Sequence, residues 1–591
     1  MCGIVGYIGD KQALPILLNS LKKLEYRGYD SCGVAVASDH IQTCKDAIRV
    51  DELSRTSPRF PGSTGIGHTR WATHGRPSRV NAHPHQDCTG RIAVVHNGII
   101  TNYQRLRSQL IEEGHKFLSE TDTEVIPHLV ERYYEGNLPD AVEKALAEIE
   151  GSYAIIAMVV GEQRLVVARK DSPVVIGLGD RSNFVASDVP ALLDYTNRVI
   201  YLEDGDLAIL DSKKVTVRRD GTDIKRQEQK VLWSVEEAQK GGYEHFMLKE
   251  IHEQPRVIRN TIAEYARLDE PLAQLSAGGT EPVLLLACGT SYNAALVGKH
   301  VFEDLLKVPV RAEIASEFNY YNNTLARGLA IGITQSGETA DTLKAMKRVK
   351  EAGCRVIAVT NVVGSTANRV ANQTLYTRAG PEISVAATKS FTAQLMVLYL
   401  MAMTYSKAEP RKLAELNTEI RQLPSKVQQV IDDESRMAEC AEYLAGFDNA
   451  FYIGRGINFP VALEGALKLK ETSYIHAEGL AAGEMKHHTL AVLTAKTPVI
   501  AVIARDSTYE PMLTNIKEIK ARGAPVIAIA PERDGDLDEF ADLVVEVPRV
   551  DPMFSPVVNI VALHLITYYT AKKRGCPIDF PRNLAKSVTV E

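Results

Sequence analysis

Short runs of residues that favour β-strands dominate the first 220 positions of the chain. The runs are rich in Val, Ile and Tyr and are bounded by Gly, Asp or Asn, which predicts strands at residues 3–8, 33–37, 92–96, 152–160, 165–169, 183–186 and 206–210. Helical periodicity interrupts them near residues 12–24 and 123–134. The pattern is typical of an α+β domain that contains much antiparallel sheet.

From about residue 280 the pattern changes to an alternation of strands and helices. Continuous apolar runs at residues 282–287, 329–334 and 355–360 predict strands that are buried on both faces. Such strands indicate a parallel sheet covered by helices. Before this region, the chain is polar at residues 213–230 and amphipathic at residues 233–260, which predicts a linker followed by a docking helix.

The α/β region contains an internal repeat. Residues 343–359 align with residues 513–529 at an offset of 170, with Leu, Lys, Gly and β-branched residues in matching places. The repeat indicates two α/β subdomains of one kind, joined near residues 407–439. We therefore expect an N-terminal domain, a linker with a docking helix, two α/β domains and a C-terminal tail, at residues 2–220, 221–275, 276–413, 440–581 and 582–591.

Composition narrows the classes of function. The chain has 591 residues, of which 45% are hydrophobic and 24% charged, as in ordinary globular proteins. Its 68 basic and 74 acidic residues give a net charge of −6, which excludes a broad basic surface for nucleic acid or anionic membranes. The longest uninterrupted apolar stretch, residues 395–403, is too short to span a membrane, and residues 1–4 do not begin a signal peptide. We expect a cytoplasmic protein.

The cysteines and histidines do not predict a metal site. The eight cysteines are scattered and never form a CxxC pair, which argues against a disulfide framework or a zinc knuckle. His487 and His488 are adjacent and do not face each other on a helix. His83 and His85 lie near Asp87 and Cys88, but a clear second pair of ligands is missing. We expect no metal and no cofactor.

Cys2 carries the most distinctive chemistry. Removal of Met1, which is efficient when the next residue is small, would make Cys2 the N-terminal residue. Its α-amino group, with a pKa of about 7.7–8.0, would then stand beside its own thiol. Such a residue combines a nucleophile and a base, as in N-terminal-nucleophile hydrolases. The alternative is that Cys2 is an ordinary second residue.

Other residues offer the groups that such a nucleophile needs. Asn97 and Gly98 end a predicted strand and can donate N–H groups to an oxyanion. Arg70 offers a guanidinium to a carboxylate. Asp122 can hold an ammonium group, with a helix N-cap as the alternative.

Five motifs together resemble the class II glutamine amidotransferase family: Cys2-Gly3-Ile4-Val5-Gly6, Tyr26-Arg27-Gly28-Tyr29-Asp30-Ser31, the segment around Trp71, His96-Asn97-Gly98 and residues 119–123. The resemblance implies an αββα N-terminal-nucleophile hydrolase domain in which Cys2 attacks the side-chain amide of glutamine. Asn97 and Gly98 would stabilise the oxyanion. Arg70 and Asp122 would bind the α-carboxylate and α-ammonium groups of glutamine, with three further residues nearby, Trp71, Thr73 and His74.

Hydroxyl-rich segments follow two of the predicted parallel strands. Residues 334–339 (Thr-Gln-Ser-Gly-Glu-Thr) and 288–291 (Cys-Gly-Thr-Ser) each lead into a helix, whose N-terminal N–H groups attract anions. Ordinary helix capping is the alternative. In the second repeat, Asp506 and Tyr509 take the places of Ser336 and Thr339, and a carboxylate there would repel a phosphate. We therefore expect a phosphate site in the first copy only.

Six runs carry a second resemblance, at residues 245–255, 288–293, 335–342, 381–391, 462–487 and 581–591. Through them, residues 245–591 resemble the family of isomerizing glutamine–fructose-6-phosphate aminotransferases, the glucosamine-6-phosphate synthases, which carry two sugar isomerase (SIS) domains. The resemblance implies that Lys586 forms a Schiff base with the sugar, Glu471 moves the proton between C1 and C2, and His487 assists ring opening. Trp71 and Val588 would gate ammonia. The residues implied to hold fructose 6-phosphate are Thr290, Ser291, Thr334, Gln335, Ser336, Thr339, Val385 and Ala585.

The chain departs from this family pattern in a few places. Thr334 and Ala387 stand where we expect Ser, and His488-Thr489 follows His487 where Gly-Pro is usual. Lys468 and Glu471 are three residues apart on a predicted helix, a spacing that is also typical of a surface ion pair.

The function expected from these resemblances is synthesis of glucosamine 6-phosphate and glutamate from fructose 6-phosphate and L-glutamine, the first step of hexosamine synthesis, in a homodimer. Two alternatives remain open. A deglycase would run similar sugar chemistry backwards without needing Cys2, and a sugar-phosphate sensor would need no catalytic lysine.

Overall fold

The computed structural model describes residues 2–72, 74–231, 237, 239–265, 282–320, 328–531 and 535–589. The chain divides into two compact units, one made of Met1–Ala238 with Ala585–Glu591 and the other of Gln239–Leu584. Residues 266–281 of the predicted linker and first α/β domain lie outside the described residues.

Antiparallel strands form most of the first unit. They are β1 (Gly3–Ile8), β2 (Ser31–Ala37), β3 (Ile41–Asp46), β4 (Thr64–Arg70), β5 (His85–Gln86), β6 (Ile92–Ile100), β7 (Gly151–Val159), β8 (Leu165–Lys170), β9 (Val175–Leu178), β10 (Asn183–Ala186), β11 (Arg198–Tyr201), β12 (Leu207–Leu210), β13 (Val215–Arg219), β14 (Thr222–Ile224) and β15 (Glu228–Lys230). One sheet has the order β15-β11-β9-β10-β1-β4-β2-β3, and the other has the order β14-β13-β12-β8-β7-β6-β5.

Helices cover the outer faces of these two sheets. They are α1 (Ala13–Lys22), α2 (Val50–Thr56), α3 (Tyr103–Glu112), α4 (Val125–Tyr133) and α5 (Leu138–Glu148). The sheets pack face to face through one apolar cluster, in which Ile4 and Ile66 of the first sheet meet Ile156 of the second. Helices α3 to α5 share a second cluster with the other face of the second sheet, and α1 lies on β1 and β4. The predicted αββα sandwich is confirmed.

The polar stretch at residues 213–230 forms strands β13 to β15 rather than an unstructured linker. These strands lie at one edge of each sheet, where charged side chains reach solvent and block further pairing. Arg219 and Arg226 both bind Asp206, whose side chain is fully buried. Strands β14 and β15 have three residues each and are mostly polar, so the hydrophobic pattern did not predict them.

The second unit consists of parallel strands with helices on both faces. The strands are β16 (Val283–Ala287), β17 (Val310–Ile314), β18 (Leu329–Ile333), β19 (Arg355–Thr360), β20 (Gln373–Tyr376), β21 (Asn449–Gly454), β22 (His476–Ala481), β23 (Val499–Val502), β24 (Val526–Ala530) and β25 (Leu543–Glu546). The helices are α6 (Phe246–His252), α7 (Gln254–Tyr265), α8 (Gly289–Leu306), α9 (Ala315–Phe318), α10 (Ala340–Glu351), α11 (Thr366–Val370), α12 (Lys389–Thr404), α13 (Pro410–Asp432), α14 (Glu434–Leu444), α15 (Phe459–Ser473), α16 (Tyr509–Lys520), α17 (Gly535–Phe540) and α18 (Ser555–Lys573).

The repeat seen in the sequence is present in the topology of the second unit. Its two sheets have the orders β17-β16-β18-β19-β20 and β22-β21-β23-β24-β25, which are equivalent strand by strand. Every pairing in them is parallel, as in β16 with β18 and β21 with β23. The prediction of two α/β domains with parallel sheets is confirmed.

A long apolar helix lies in the core of the second unit. Among the described residues, Pro552–Lys573 is long and apolar enough to cross a membrane, and 89% of its apolar stretch is buried inside the protein. Polar residues such as Asn559 and His564 interrupt its apolar run, so the sequence shows no long unbroken apolar stretch there. Since α18 packs against α14 and α15 within this unit, we interpret it as a core helix.

Candidate active sites

Cys2 lies at the beginning of β1, a strand paired on both sides by β4 and β10. Its Sγ accepts a hydrogen bond from the peptide N–H of Trp71 at 3.2 Å. Burial raises the pKa of the Cys2 thiol, while the Trp71 N–H and the positive charge of Arg70 act in the opposite direction. The strand therefore holds the sulfur in a fixed place beside donors that favour its thiolate form.

Asn97 and Gly98 lie beside Cys2 near the end of β6. The Asn97 Nδ2 group donates to the Cys2 carbonyl oxygen at 2.9 Å. Gly98 has a φ of +126°, and a Cβ atom there would lie 2.1 Å from the Ser152 carbonyl oxygen, so the site requires glycine. The amide side chain and the open backbone thus meet the requirement for an oxyanion site next to the nucleophile.

Arg70 and Asp122 are both buried in the same unit. The Nη2 atom of Arg70 donates to the carbonyl oxygens of His74 and Gly75. Its Nη1 atom is buried and has no hydrogen-bond partner among the described residues. A buried guanidinium N–H without a partner is costly, so it indicates a place where an anionic ligand group would bind.

Asp122 does not act as a helix N-cap. Its Oδ2 atom accepts the Ile100 N–H at 2.8 Å, just beyond the Asn97–Gly98 pair on β6. It is close enough to Cys2 to contribute to raising the pKa of that thiol. Thr73, the remaining predicted glutamine-binding residue, lies outside the described residues.

The histidines near this site are held as neutral hydrogen-bonding groups. Burial lowers the pKa of His68 to about 3 and that of His83 and His85 well below the ordinary value. His83 pairs with Thr123 at 2.9 Å and His85 with Thr121 at 3.1 Å. Their Nε2 atoms bind threonine hydroxyls.

The hydroxyl-rich segment 334–339 connects β18 to α10 in the second unit. Thr334 and Thr339 share a hydrogen bond of 2.9 Å between their hydroxyls, and the Gly337 N–H donates to Thr334 Oγ1 at 3.2 Å. The Glu338 N–H donates to Ser336 Oγ at 3.1 Å. The segment is therefore a tight turn in which hydroxyls and peptide N–H groups surround the beginning of a helix.

A second hydroxyl-rich segment follows the neighbouring strand β16. Thr290 and Ser291 lie in the first turn of α8, where Thr290 Oγ1 donates to Glu464 at 3.0 Å and Gln394 donates to Ser291 Oγ at 2.9 Å. Since β16 and β18 are adjacent and parallel, both segments lie at the same edge of one sheet. Val385 is buried elsewhere in this unit, and its N–H donates to the Asp579 carbonyl oxygen at 3.0 Å.

The equivalent turn of the second copy contains a carboxylate. Asp506 Oδ1 accepts the N–H and the hydroxyl of Thr508 at 2.8 Å and 2.6 Å, just before α16 begins. The ring of Tyr509 lies 3.8 Å from the guanidinium of Arg505. The Asp506 carboxylate thus takes up one peptide N–H of this turn, at the position where the first copy has Ser336.

Lys468 and Glu471 do not form a surface ion pair. Lys468 is 1% exposed, and its Nζ lies 2.6 Å from Glu471 and 3.5 Å from Glu464. Burial opposes the charge of Lys468, but the two glutamates hold its pKa above the ordinary value. Glu464 also accepts from Thr290 and Asn293, so the network joins α15 of the second copy to α8 of the first.

Sequence reasoning did not identify Glu464 or His564 as residues of interest. His564 of α18 is fully buried, its two ring nitrogens have no hydrogen-bond partner among the described residues, and burial lowers its pKa to about 3. The sequence signal for Glu464 was its spacing of four residues from Lys468 on α15, among apolar and small residues. His487, by contrast, is exposed at the end of a 3-10 helix, Ala482–His487.

Three predicted residues lie in the closing segment of the chain, which groups with the first unit. Ala585 and Lys586 are half-buried, and Val588 is 54% exposed. Ser587 and Thr589, which alternate with them, are buried. The alternation shows that this segment is held in place.

The chain matches two domain families. The glutamine amidotransferase domain model matches residues 68–194, and the SIS domain model matches residues 281–404 and 443–571. The fold and the sites therefore define a class of protein in which an N-terminal glutamine amidotransferase domain precedes two SIS domains.

Full-length relatives identify the family within this class. Proteins named glutamine–fructose-6-phosphate aminotransferase (isomerizing) from Methanosarcina acetivorans and Caldanaerobacter subterraneus are 50% and 47% identical, over 100% of both chains in each case. The solved C-terminal domain of the Francisella tularensis glucosamine-fructose-6-phosphate aminotransferase is 35% identical, covers 58% of this chain and 100% of its own, and has a TM-score of 0.55. The chain belongs to the glutamine–fructose-6-phosphate aminotransferase (isomerizing) family.

Proposed function

We propose that this chain converts L-glutamine and fructose 6-phosphate to glutamate and glucosamine 6-phosphate. One observation carries the proposal: a single chain contains both a Cys2 site and a hydroxyl-lined turn beside a parallel sheet. The same chain matches its relatives from end to end. Ammonia would pass between the two sites without entering solvent, where at neutral pH it would become unreactive ammonium. Trp71 and Val588 would gate its passage.

In the glutaminase half, Cys2 Sγ would attack the side-chain amide carbon of glutamine. The N-terminal amine exposed by removal of Met1 would take the thiol proton and deliver it to the leaving ammonia, which leaves a thioester on Cys2. Water would then hydrolyse this thioester, releasing glutamate and returning the thiol. Asn97 Nδ2 and the Gly98 N–H would stabilise the tetrahedral oxyanion. The partnerless Nη1 of Arg70 would bind the glutamine α-carboxylate, and Asp122 would bind the α-ammonium group, with Trp71, Thr73 and His74 around the substrate.

In the isomerase half, the phosphate would bind the two hydroxyl-rich turns. The residues assigned to fructose 6-phosphate are Thr290, Ser291, Thr334, Gln335, Ser336, Thr339, Val385 and Ala585. Lys586 would form an imine at C2 of the sugar after His487 assists ring opening, and ammonia would then displace Lys586 from that carbon. Glu471 would carry the proton between C1 and C2, and the Nζ atom of buried Lys468 lies 2.6 Å from its carboxylate.

The proposed function also comes with proposed domain boundaries and a proposed cellular setting. We assign residues 2–220 to the glutaminase, whose sheets also include β14 and β15 from the beginning of residues 221–275. The rest of 221–275 is the linker with its docking helix, 276–413 and 440–581 are the two SIS domains, and 582–591 is the catalytic tail. We further propose a cytoplasmic homodimer that binds neither nucleic acid nor membranes. The buried position of the one long apolar helix among the described residues supports this setting.

The decisive experiment uses glutamine labelled with nitrogen-15 in its side-chain amide. Mass spectrometry of the sugar product should find glucosamine 6-phosphate that carries the label, and unlabelled ammonium in the buffer should not dilute it. A deglycase would release ammonia from glucosamine 6-phosphate without using glutamine, and a sensor would yield no product. Glutamate together with labelled ammonium, and no aminated sugar, would contradict the proposal.

Gly337 provides a test of the proposed phosphate turn. Its φ is +68°, and a Cβ atom would lie 2.1 Å from Ser365 Oγ, so we expect Gly337→Ala to distort the turn. Steady-state kinetics should show that KM for fructose 6-phosphate rises by about tenfold or more, since a loss of about 1.4 kcal/mol in binding is tenfold. Basal glutaminase activity should stay within about twofold, because binding energy lost at the sugar does not touch the other site.

The matched control is Gly523→Ala. Gly523 also has a positive φ, +74°, but nothing lies within 4 Å of the position of its Cβ. Both variants share the cost of left-handed geometry, about 1–2 kcal/mol, whereas only Gly337→Ala disturbs the turn. Equal KM values in the two variants would show that the turn does not bind the sugar phosphate.

A further inference from the structure

Four side chains with metal-binding atoms lie close together in the first unit, outside both proposed active sites. Cys88 lies in the turn between β5 and β6, and His115 follows α3. His128 and Glu131 are three residues apart on α4 and share one face of that helix. Their ligand atoms all lie within 4.8 Å of one another. Three separate chain segments thus meet through a thiol, two imidazoles and a carboxylate.

The distances between these atoms fit a tetrahedral ion. Cys88 Sγ lies 3.7 Å from His115 Nδ1 and 3.6 Å from His128 Nδ1. Glu131 Oε2 lies 2.9 Å from His115 Nδ1 and 3.3 Å from His128 Nδ1. Zinc–sulfur bonds of about 2.3 Å and zinc–nitrogen or zinc–oxygen bonds of about 2.0–2.1 Å, at tetrahedral angles, place such atoms about 3.6 Å and about 3.3 Å apart.

Peptide N–H groups donate to both of the ligands that would be anionic. The Lys116 N–H donates to Cys88 Sγ at 3.3 Å, and the Cys88 N–H donates to Glu131 Oε2 at 3.2 Å. Peptide N–H groups in these positions stabilise a thiolate and orient a carboxylate, as outer partners of metal ligands do. A thiolate and a carboxylate together balance the two charges of Zn²⁺, and neutral imidazoles complete the set.

We propose that Cys88, His115, His128 and Glu131 form a structural zinc site. The four protein ligands fill a tetrahedral shell and leave no position for a substrate, which distinguishes a structural from a catalytic site. The ion would join three parts of the unit, which are the β5–β6 turn, the segment that follows α3, and helix α4. Because β6 carries Asn97 and Gly98, and α4 begins just after Asp122, zinc would hold in register the segments that carry the glutamine-binding residues.

The test begins with the full chain stripped of metal by a chelator. After incubation with Zn²⁺ and gel filtration, elemental analysis should find about one zinc per chain. Cys88→Ser and His115→Gln, at exposed and half-buried positions, should each lower the bound zinc by about tenfold. Cys44→Ser, at a half-buried cysteine of the same unit, is the matched control and should bind as the parent does.

Two further readings separate a specific site from loosely bound metal. Co²⁺ in place of Zn²⁺ should give the absorption of a tetrahedral cobalt thiolate, and this absorption should vanish in Cys88→Ser. Zinc should also raise the thermal midpoint of the parent chain and leave that of Cys88→Ser unchanged, because only a folded-state site shifts the midpoint. Absence of zinc from the parent, or equal zinc in the parent and both cluster variants, would overturn the proposal. Cys2 and the isomerase residues remain intact throughout, so failure here leaves the proposed function standing.

Discussion

Replacement of Cys2 by alanine is expected to lower glutamine-dependent formation of glucosamine 6-phosphate by about a thousandfold or more. The sulfur at the beginning of β1 is the atom that would bond to the glutamine amide carbon, and alanine offers no nucleophile in its place. Alanine is also small, so removal of Met1 should proceed as in the parent chain. Product formation with glutamine as the nitrogen donor is the measurement.

Ammonium salt at high concentration distinguishes loss of chemistry from loss of folding. Since the isomerase half does not contain Cys2, the alanine variant should form product from fructose 6-phosphate and ammonia at a rate within about threefold of the parent. Cys44→Ser serves as the matched cysteine variant and should retain both activities. Full glutamine-dependent activity in Cys2→Ala would contradict the assigned nucleophile.

Replacement of Lys586 by alanine is expected to remove product formation with either nitrogen donor, by about a hundredfold or more, while the hydrolysis of glutamine persists. A primary amine is needed to form an imine with the sugar carbonyl, and ammonia supplied from outside cannot replace the step that opens and holds the ketose. Assays of glutamate release and of aminated sugar, run side by side, separate the two halves of the reaction.

Lys586→Arg is the sharper variant of the same test. Arginine keeps the positive charge and the length of the side chain, but its guanidinium stays protonated and does not form an imine. Borohydride treatment in the presence of fructose 6-phosphate should add the mass of the reduced sugar to the C-terminal peptide of the parent and to neither variant. Substantial synthesis by Lys586→Arg would rule out the Schiff base.

Much of the architecture was predictable because burial imposes regular patterns. The strand Arg355–Thr360 and its repeat at Val526–Ala530 are continuous apolar runs, since both faces of a parallel sheet are covered. The strand Thr64–Arg70 was not predicted, because its glycines carry no apolar signal. Gly65 and Gly67 are required there by close packing, since Cβ atoms would lie 2.8 Å and 2.9 Å from side chains of α1.

The candidate sites were predictable where the chemistry lies within short motifs. Cys2 and the Asn97–Gly98 pair were predicted because they belong to five short motifs that follow one another in the order of the family, and the structure places them beside one another. The environment of Lys468 was not predictable, because a spacing of three residues is the same on a surface and in a core. The partners of Cys88 were missed for another reason, which is that His115 and His128 are 27 and 40 residues away along the chain.

The hydrogen bonds from Thr290 and Asn293 to Glu464 have a consequence for the duplicated architecture. They make the contact between the two copies polar and buried, so separation of the halves would leave the Glu464 carboxylate without these donors. A fragment ending after the first copy would leave two donors without their acceptor, and a fragment starting at the second would expose a carboxylate and an ammonium group to water. The duplicated halves are thus coupled through Glu464, and each depends on the other for these hydrogen bonds.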